Sequence, residues 1–535
     1  MTASSNHAFV SPAVAPPAPA TSVLHLEFRQ NLGQISRHSL VFFAGTLFTM
    51  GAGYLVKIYV ARVLGAEQLG FYALGMTLVS LTQLFGMLGL SGTAARYVAV
   101  YNSTKKFDAL RGFLTRSVAI VVALNLLFSI ALVFSGSFVA RTLYHAPGLG
   151  QYIPLFAFLA FLGSLNLFYC QVLGGFKDIA KRTVITSFIG TALVIVLAVI
   201  LLALGTGMWG YLAAQIVGSL IVVALLVIAA KKLTPPAARI AWRPLPPLDA
   251  EIKAFAVASF GMNALDFLVT QADKILLGLY LNPRLVGIYV LASTLSAFIP
   301  MILQSVNQIF APVIADLHAQ SRIDVLQKLF QTLTKWILAL TFPLAGVIIV
   351  FAVPLMRIFG SDFVAGWPVL VIGAVGQLVN CGVGSVGFLL LMSGNQRRLI
   401  RVQFVMAAIS ILVNITLIPV LGIIGAALAA TLVNVSGNLW NLSQVRKALR
   451  ISPYNRSYYA LLIPALVTVA AVISLRFLTT SLAHPWLLIL LALVVSYAVF
   501  CALAVAFALN PEDRMIAQSA WSQLRSGMQK WGVSA

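Results

Sequence analysis

Apolar runs of about 20 residues recur along this chain from residue 39 to residue 509, each long enough to cross the roughly 30 Å hydrocarbon core of a bilayer. Short polar loops separate fourteen such runs. Lipid offers no hydrogen-bond partner to a backbone amide, so every span must be helical. The pattern therefore predicts an all-α, polytopic membrane protein of about 14 transmembrane helices, with no sizeable soluble domain.

The basic residues give the predicted map an orientation. Loops on the side of the N-terminus carry 26 of the 35 Lys and Arg residues, among them Lys105, Lys106, Arg397 and Arg398. The opposite side carries 5: Arg62, Arg141, Arg284, Arg357 and Arg476. Lys57, Arg96, Lys274 and Lys335 fall within or near spans, and Lys335 is expected to snorkel to the inner boundary. Positive charge collects on the cytoplasmic side of membrane proteins. The split predicts an even number of spans, with both termini cytoplasmic. The same distribution accounts for the net charge of +22 without a nucleic-acid-binding surface, and no nucleic acid is expected as a partner.

The longest inner connection, 231–251, is rich in Pro and Arg. It divides the chain into a first lobe (39–230), a second lobe (252–445) and a final helix pair (446–509). Residues 1–38 are expected to be a disordered, Ala/Pro-rich cytoplasmic tail without the apolar core of a signal peptide. A second cytoplasmic tail is expected over 510–535. The two lobes share a repeat. Adding 217 to Lys57, Ile58, Leu64, Gly70, Tyr72, Leu74, Thr77 and Leu78 lands on an identical residue each time, from Lys274 to Leu295, with no gap. Because the offset spans six helices, both copies enter from the same side. They form a parallel repeat about an axis along the membrane normal, an architecture in which secondary transporters bind substrate between the halves.

An ionised side chain within a bilayer costs on the order of 3 kcal/mol or more and usually faces a cavity. Lys57 and Lys274 hold equivalent repeat positions, and the two-fold relation predicts them on opposite walls of one cavity that attracts an anion. Asp266 and Asp273 lie seven residues apart, on one helix face. Asp266 and Asp273 are the candidate ion-coupling residues, protonatable when unpaired, with neutralisation of one of the lysines the alternative role of Asp273. Arg96, near the inner end of the second span, can grip a phosphate with two parallel hydrogen bonds. Gln304, Asn307 and Gln308, with Asn263 and Gln271, form amide stripes suited to sugar hydroxyls, because an amide both donates and accepts. Tyr54, Tyr59 and Phe267 could stack on sugar rings. Cys170, Cys381 and Cys501 lie far apart within apolar runs and read as small core residues. No P-loop, HExxH, paired CxxC or GxSxG is present. No metal or cofactor is expected, only proton or sodium coupling.

Several segments resemble the bacterial polysaccharide-biosynthesis flippases of the multidrug/oligosaccharidyl-lipid/polysaccharide (MOP) exporter superfamily. They are Ala61-Arg62-Val63-Leu64-Gly65, Glu67, Gly70-Phe71-Tyr72 and Leu88-Gly89-Leu90 with Arg96-Tyr97-Val98, then Leu391-Met392-Ser393-Gly394-Asn395, and Pro419 with Leu421-Gly422-Ile423-Ile424-Gly425-Ala426-Ala427. The resemblance extends over roughly residues 40–510. It implies two pseudo-symmetric six-helix lobes plus a C-terminal pair, alternating access, and an inner-membrane flippase rather than an enzyme. The implied substrate is an oligosaccharide on polyprenyl pyrophosphate, moved outward for exopolysaccharide, capsule or O-antigen assembly. Other polysaccharide assembly proteins are implied as partners. In that family cavity cations serve the headgroup, and Lys57 and Lys274 are the matching candidates. A peptidoglycan-precursor (lipid II) flippase and a cation-coupled drug exporter are alternatives within the superfamily. A membrane polysaccharide polymerase is the alternative outside it, and the chain lacks the large outer loop such polymerases carry.

Overall fold

The computed structural model describes residues 20–238, 249–478 and 485–507. All regular structure among them is helical. Residues 239–248 of the inter-lobe linker, with Arg239 and Arg243, lie outside the described residues, as do residues 1–19 and the tail from 508. Eleven described helices are long and apolar enough to cross a membrane. The pair Pro283–Ser296 and Met301–Ala319, bent by 53°, makes a twelfth, and Leu462–Phe477 is a shorter apolar helix.

The first element runs continuously from Ala20 to Met87 except at Gly65 (φ 76°, ψ 176°). Its apolar part, Phe48–Met87, has 40 residues. At 1.5 Å per residue that would reach about 60 Å, twice the hydrocarbon core. Gly65 therefore divides two spans, at the boundary expected from sequence, and the total reaches the predicted fourteen. A side chain at positive φ is strained, whereas glycine is not. The second copy of the repeat breaks at the equivalent position, Asn282-Pro283, without a positive φ: Asn282 is extended (φ −70°, ψ 156°) and its side chain accepts from the Leu285 amide at 3.0 Å.

At this end the lobes meet at the repeat residues. A methyl group on Gly70 would overlap the carbonyl of Pro283, and one on Gly287 would overlap the carbonyl of Ala66. Gly70 and Gly287 are repeat partners, and so are Ala66 and Pro283. Reciprocal contacts of this kind are what a two-fold axis generates. One apolar cluster continues through both lobes here, including Val60, Leu64, Phe156, Val286 and Tyr289. The Arg62 Nε donates across to the Ile358 carbonyl at 2.7 Å. The final helices, Leu462–Leu478 and Pro485–Phe507, pack outside the second lobe. There Tyr497 and Ser496 donate to the Leu340 and Pro343 carbonyls, at 2.7 and 3.2 Å.

Several expectations change. The first helix begins at Ala20, inside the expected tail, because the Leu-, Glu- and Arg-containing stretch that follows consists of good helix formers. The second span is interrupted at Leu88 and Gly89, both at positive φ. The tenth is broken at Gly384-Ser385, with Gly384 at φ 78°. Lys335 does not snorkel; it is only 7% exposed, on the packed face of Ile323–Val350. Cys170 and Cys381 are buried, but Cys501 is exposed on the last helix.

Candidate substrate site

Lys57 projects from the first span with its ammonium 5.0 Å from the centre of the Tyr54 ring, one turn below. Lys274, its repeat partner, donates to Gln271 Oε1 at 2.9 Å and to the Thr270 carbonyl at 3.2 Å. Gln271 is the repeat partner of Tyr54, so each lysine leans on the equivalent residue of its own lobe. Neither ammonium meets a carboxylate among the described residues. Asp273 does not neutralise them. It accepts from the Tyr289 hydroxyl at 2.6 Å and from the Lys274 amide at 2.8 Å, because its position on the helix turns it toward the neighbouring helix Pro283–Ser296. Tyr54 is also committed elsewhere: its hydroxyl donates to the Thr294 carbonyl at 2.7 Å and its ring lies against Phe298. In this conformation it bridges the two lobes.

The helix Ala250–Tyr280 carries a polar stripe, Ser259, Asn263, Asp266, Thr270 and Asp273, spaced four and three residues apart along one face. Asn263, Asp266 and Thr270 are exposed. The Asp266 carboxylate has no cation and no side-chain donor among the described residues. A polar, exposed stripe on a membrane-crossing helix requires water beside it, since hydrocarbon would leave each group unsatisfied.

At the far end from Gly65, Arg96 does not point free into a path. Its guanidinium lies 3.6 Å from Glu251 and 4.6 Å from the Phe255 ring. Tyr97 donates to Glu251 at 3.0 Å and Tyr101 to Asp249 at 3.4 Å. A methyl on Gly89 would overlap the Ala256 carbonyl. Together these contacts close the first lobe against the start of the second. The ion pair is largely exposed, and such pairs contribute at most about 1 kcal/mol. Glu251→Gln should therefore leave folding intact and open this end. In a Cys501→Ser background, maleimide labelling of a Ser259→Cys reporter should rise up to about fivefold. Unchanged labelling would show that the pair does not hold the end closed.

A cavity of about 370 Å³ lies within the second lobe, between Met301–Ala319, the broken helix Trp367–Val383 and Val386–Met392, and Ile423–Leu449. Gln304 and Asn307 line it, while Gln308 is exposed outside it. The one-turn step from 304 to 307 faces inward, and residue 308 is rotated a further 100° away. Lys57 and Lys274 are not among its lining. Gln377, Asn380, Asn434 and Asn438 complete the wall and were missed by sequence reading. They too are amides one turn apart within apolar helices, so the same spacing rule would have found them.

The family described as polysaccharide biosynthesis protein matches residues 59–365. The probable flippase AglR of Haloferax volcanii is 24% identical over 441 residues, covering 79% of this chain and 86% of that protein. Among solved structures, the lipid II flippase MurJ in an inward closed conformation matches with a TM-score of 0.66 at 15% identity, over 87% of this chain and 98% of that one. An inward-facing multidrug resistance MATE family transporter of the MOP superfamily matches at 0.57 and 14% identity, over 77% and 99%. The fold is thus that of MOP-superfamily transporters, and with a family match across more than half its length this multi-pass membrane chain belongs to the polysaccharide biosynthesis protein family.

Proposed function

We propose that this protein moves a polyprenyl-pyrophosphate-linked oligosaccharide from the cytoplasmic to the outer leaflet of a bacterial inner membrane by alternating access. The observation that carries this reading is the repeat-related pair Lys57 and Lys274, each without a carboxylate partner among the described residues. Unneutralised ammonium groups within a bilayer are expensive, and a diphosphate headgroup supplies the missing anion. Cationic drugs would be repelled. The sugar passes through the wet interior beside the stripe on Ala250–Tyr280, while the prenyl tail stays in lipid. The excess of basic residues supports a cytoplasmic location for the Arg96 end and both termini. The chain acts as a transporter and performs no covalent chemistry on its substrate.

The direct test is flipping of a fluorescent lipid-linked oligosaccharide in vesicles reconstituted with the purified protein. Rates no faster than in protein-free vesicles would remove the proposal. Energy enters through Asp266, exposed on the polar stripe and unpaired among the described residues. Asp266→Asn should slow flipping on the order of tenfold, equivalent to about 1.4 kcal/mol in the barrier, and abolish any response to an imposed pH gradient. A variant that flips at the wild-type rate with the same pH response would exclude Asp266 from coupling.

A further inference from the structure

The amide cavity of the second lobe has an unusual chemistry for a membrane interior. It contains no cation to hold a phosphate or uronate and no carboxylate to hold an amine. Its wall is instead a set of paired amides with unspent capacity. Asn380 donates to Gln377 Oε1 at 3.1 Å, and Asn438 donates to Asn434 Oδ1 at 2.7 Å. Asn438 also donates to the Asn434 backbone carbonyl at 2.9 Å, and each pair leaves one NH2 and one side-chain carbonyl oxygen without a side-chain partner among the described residues. Asn307 is only 8% exposed, and its buried Oδ1 has no hydrogen-bond partner. Leaving a buried acceptor unpaired is unfavourable, so such a group is normally satisfied by something that fills the site. Phe388 and Leu303 add apolar surface to the same lining.

We infer that this cavity is a subsite for an uncharged sugar ring, and that its amides select neutral or N-acetylated sugars over acidic ones. The inference rests on the proposed oligosaccharide substrate and specifies which part of it the second lobe reads. A sugar hydroxyl donates one hydrogen bond and accepts others, which matches neighbouring amide NH2 and carbonyl groups. The C–H face of the ring suits Phe388. A volume of about 370 Å³ is near the lower end of the roughly 300–1,000 Å³ of small-ligand sites, room for a sugar but not a whole glycolipid. A carboxylate placed here would lose its hydration with no cation in return. The space exists because two helices are interrupted beside it: Ala297 and Pro300, at the bend before Met301, and Gly384 and Ser385, at the break before Val386, all line the cavity.

The test uses full-length protein in detergent micelles and saturation-transfer NMR with three probes: methyl glucoside, methyl N-acetylglucosaminide and methyl glucuronide at pH 7. Both neutral probes should bind and compete with one another, and the glucuronide should bind at least about tenfold more weakly. Asn307→Leu and Gln304→Leu should each weaken the neutral probes by about tenfold, because a hydroxyl or amide is left unpaired. Gln304 is exposed to the cavity, so its variant remains informative should Asn307→Leu melt at a lower temperature. Equal binding of glucuronide and glucoside would overturn the inference, as would wild-type binding by both folded variants. Binding of no sugar, with water as the sole occupant, would also overturn it. Flipping assays separate this outcome from failure of the transport reading. Wild-type flipping of a neutral lipid-linked sugar by Asn307→Leu and Gln304→Leu leaves transport standing and removes the subsite. Specific sugar binding by a protein that flips nothing does the reverse.

Discussion

Replacing either Lys57 or Lys274 with methionine should reduce flipping of lipid-linked oligosaccharide by roughly 10- to 100-fold, the consequence of losing one charge-assisted hydrogen bond of about 1.5–3 kcal/mol. Methionine keeps the length and apolar stem of lysine and removes only the charge. Neither lysine anchors the packing: Lys57 touches the Tyr54 ring, and Lys274 bonds within its own helix. Folding should therefore be unaffected. On the proposed reading both cations grip one headgroup, so the double variant should lose less than the product of the single losses. Lys57→Arg and Lys274→Arg should retain much of the activity, because arginine also binds a diphosphate. Wild-type flipping by both single methionine variants, in protein that is folded and inserted, would remove the anion site and leave only the family membership as support for transport.

Valine at Gly70 or at Gly287 should block transport almost completely, and the two variants should fail in the same way. Each glycine abuts a backbone carbonyl of the other lobe, Pro283 for Gly70 and Ala66 for Gly287. A side chain that meets a flexible neighbour costs about 1–3 kcal/mol. A carbonyl built into a helix start has no rotamer to change, so here the lobes must part. The expected readout is a longer, broader distance distribution between spin labels on Glu67 and Arg284, both exposed at this end, together with loss of flipping. Gly51→Ala meets nothing within 4 Å and should behave as wild type. If Gly70→Val and Gly287→Val gave unaltered distances and rates, closure at this seam would play no part in the cycle.

The repeat shows how far the chain alone can be read. Gly70 and Gly287 were visible as identical residues 217 positions apart, but identity does not say that they touch. Only the crossing of the two turns shows why neither position accepts a Cβ. Asp273 shows the opposite limit. Beside two lysines in sequence space it reads as a counter-ion, whereas its partner is the Tyr289 hydroxyl sixteen residues on. A helix face specifies direction, not which neighbour occupies it. Arg96 was correctly seen as lying near a span end, yet its Glu251 partner is 155 residues away, across the lobe boundary.

What the amino-acid order determined by itself was the solvent and the secondary structure. Hydrocarbon forbids unsatisfied amides, so an apolar run of sufficient length can only be a helix. Where helices break inside the membrane, and which polar groups then converge, was decided by tertiary packing. The cavity walled by Gln304, Asn307, Asn380 and Asn438 exists because three helices, two of them interrupted, bring one-turn amide pairs together. Each pair is locally no more than a mild interruption of an apolar run. Its chemistry arises only from the other helices that share the space, since a hydrogen-bonding group in the membrane is defined by the partners it is left to find.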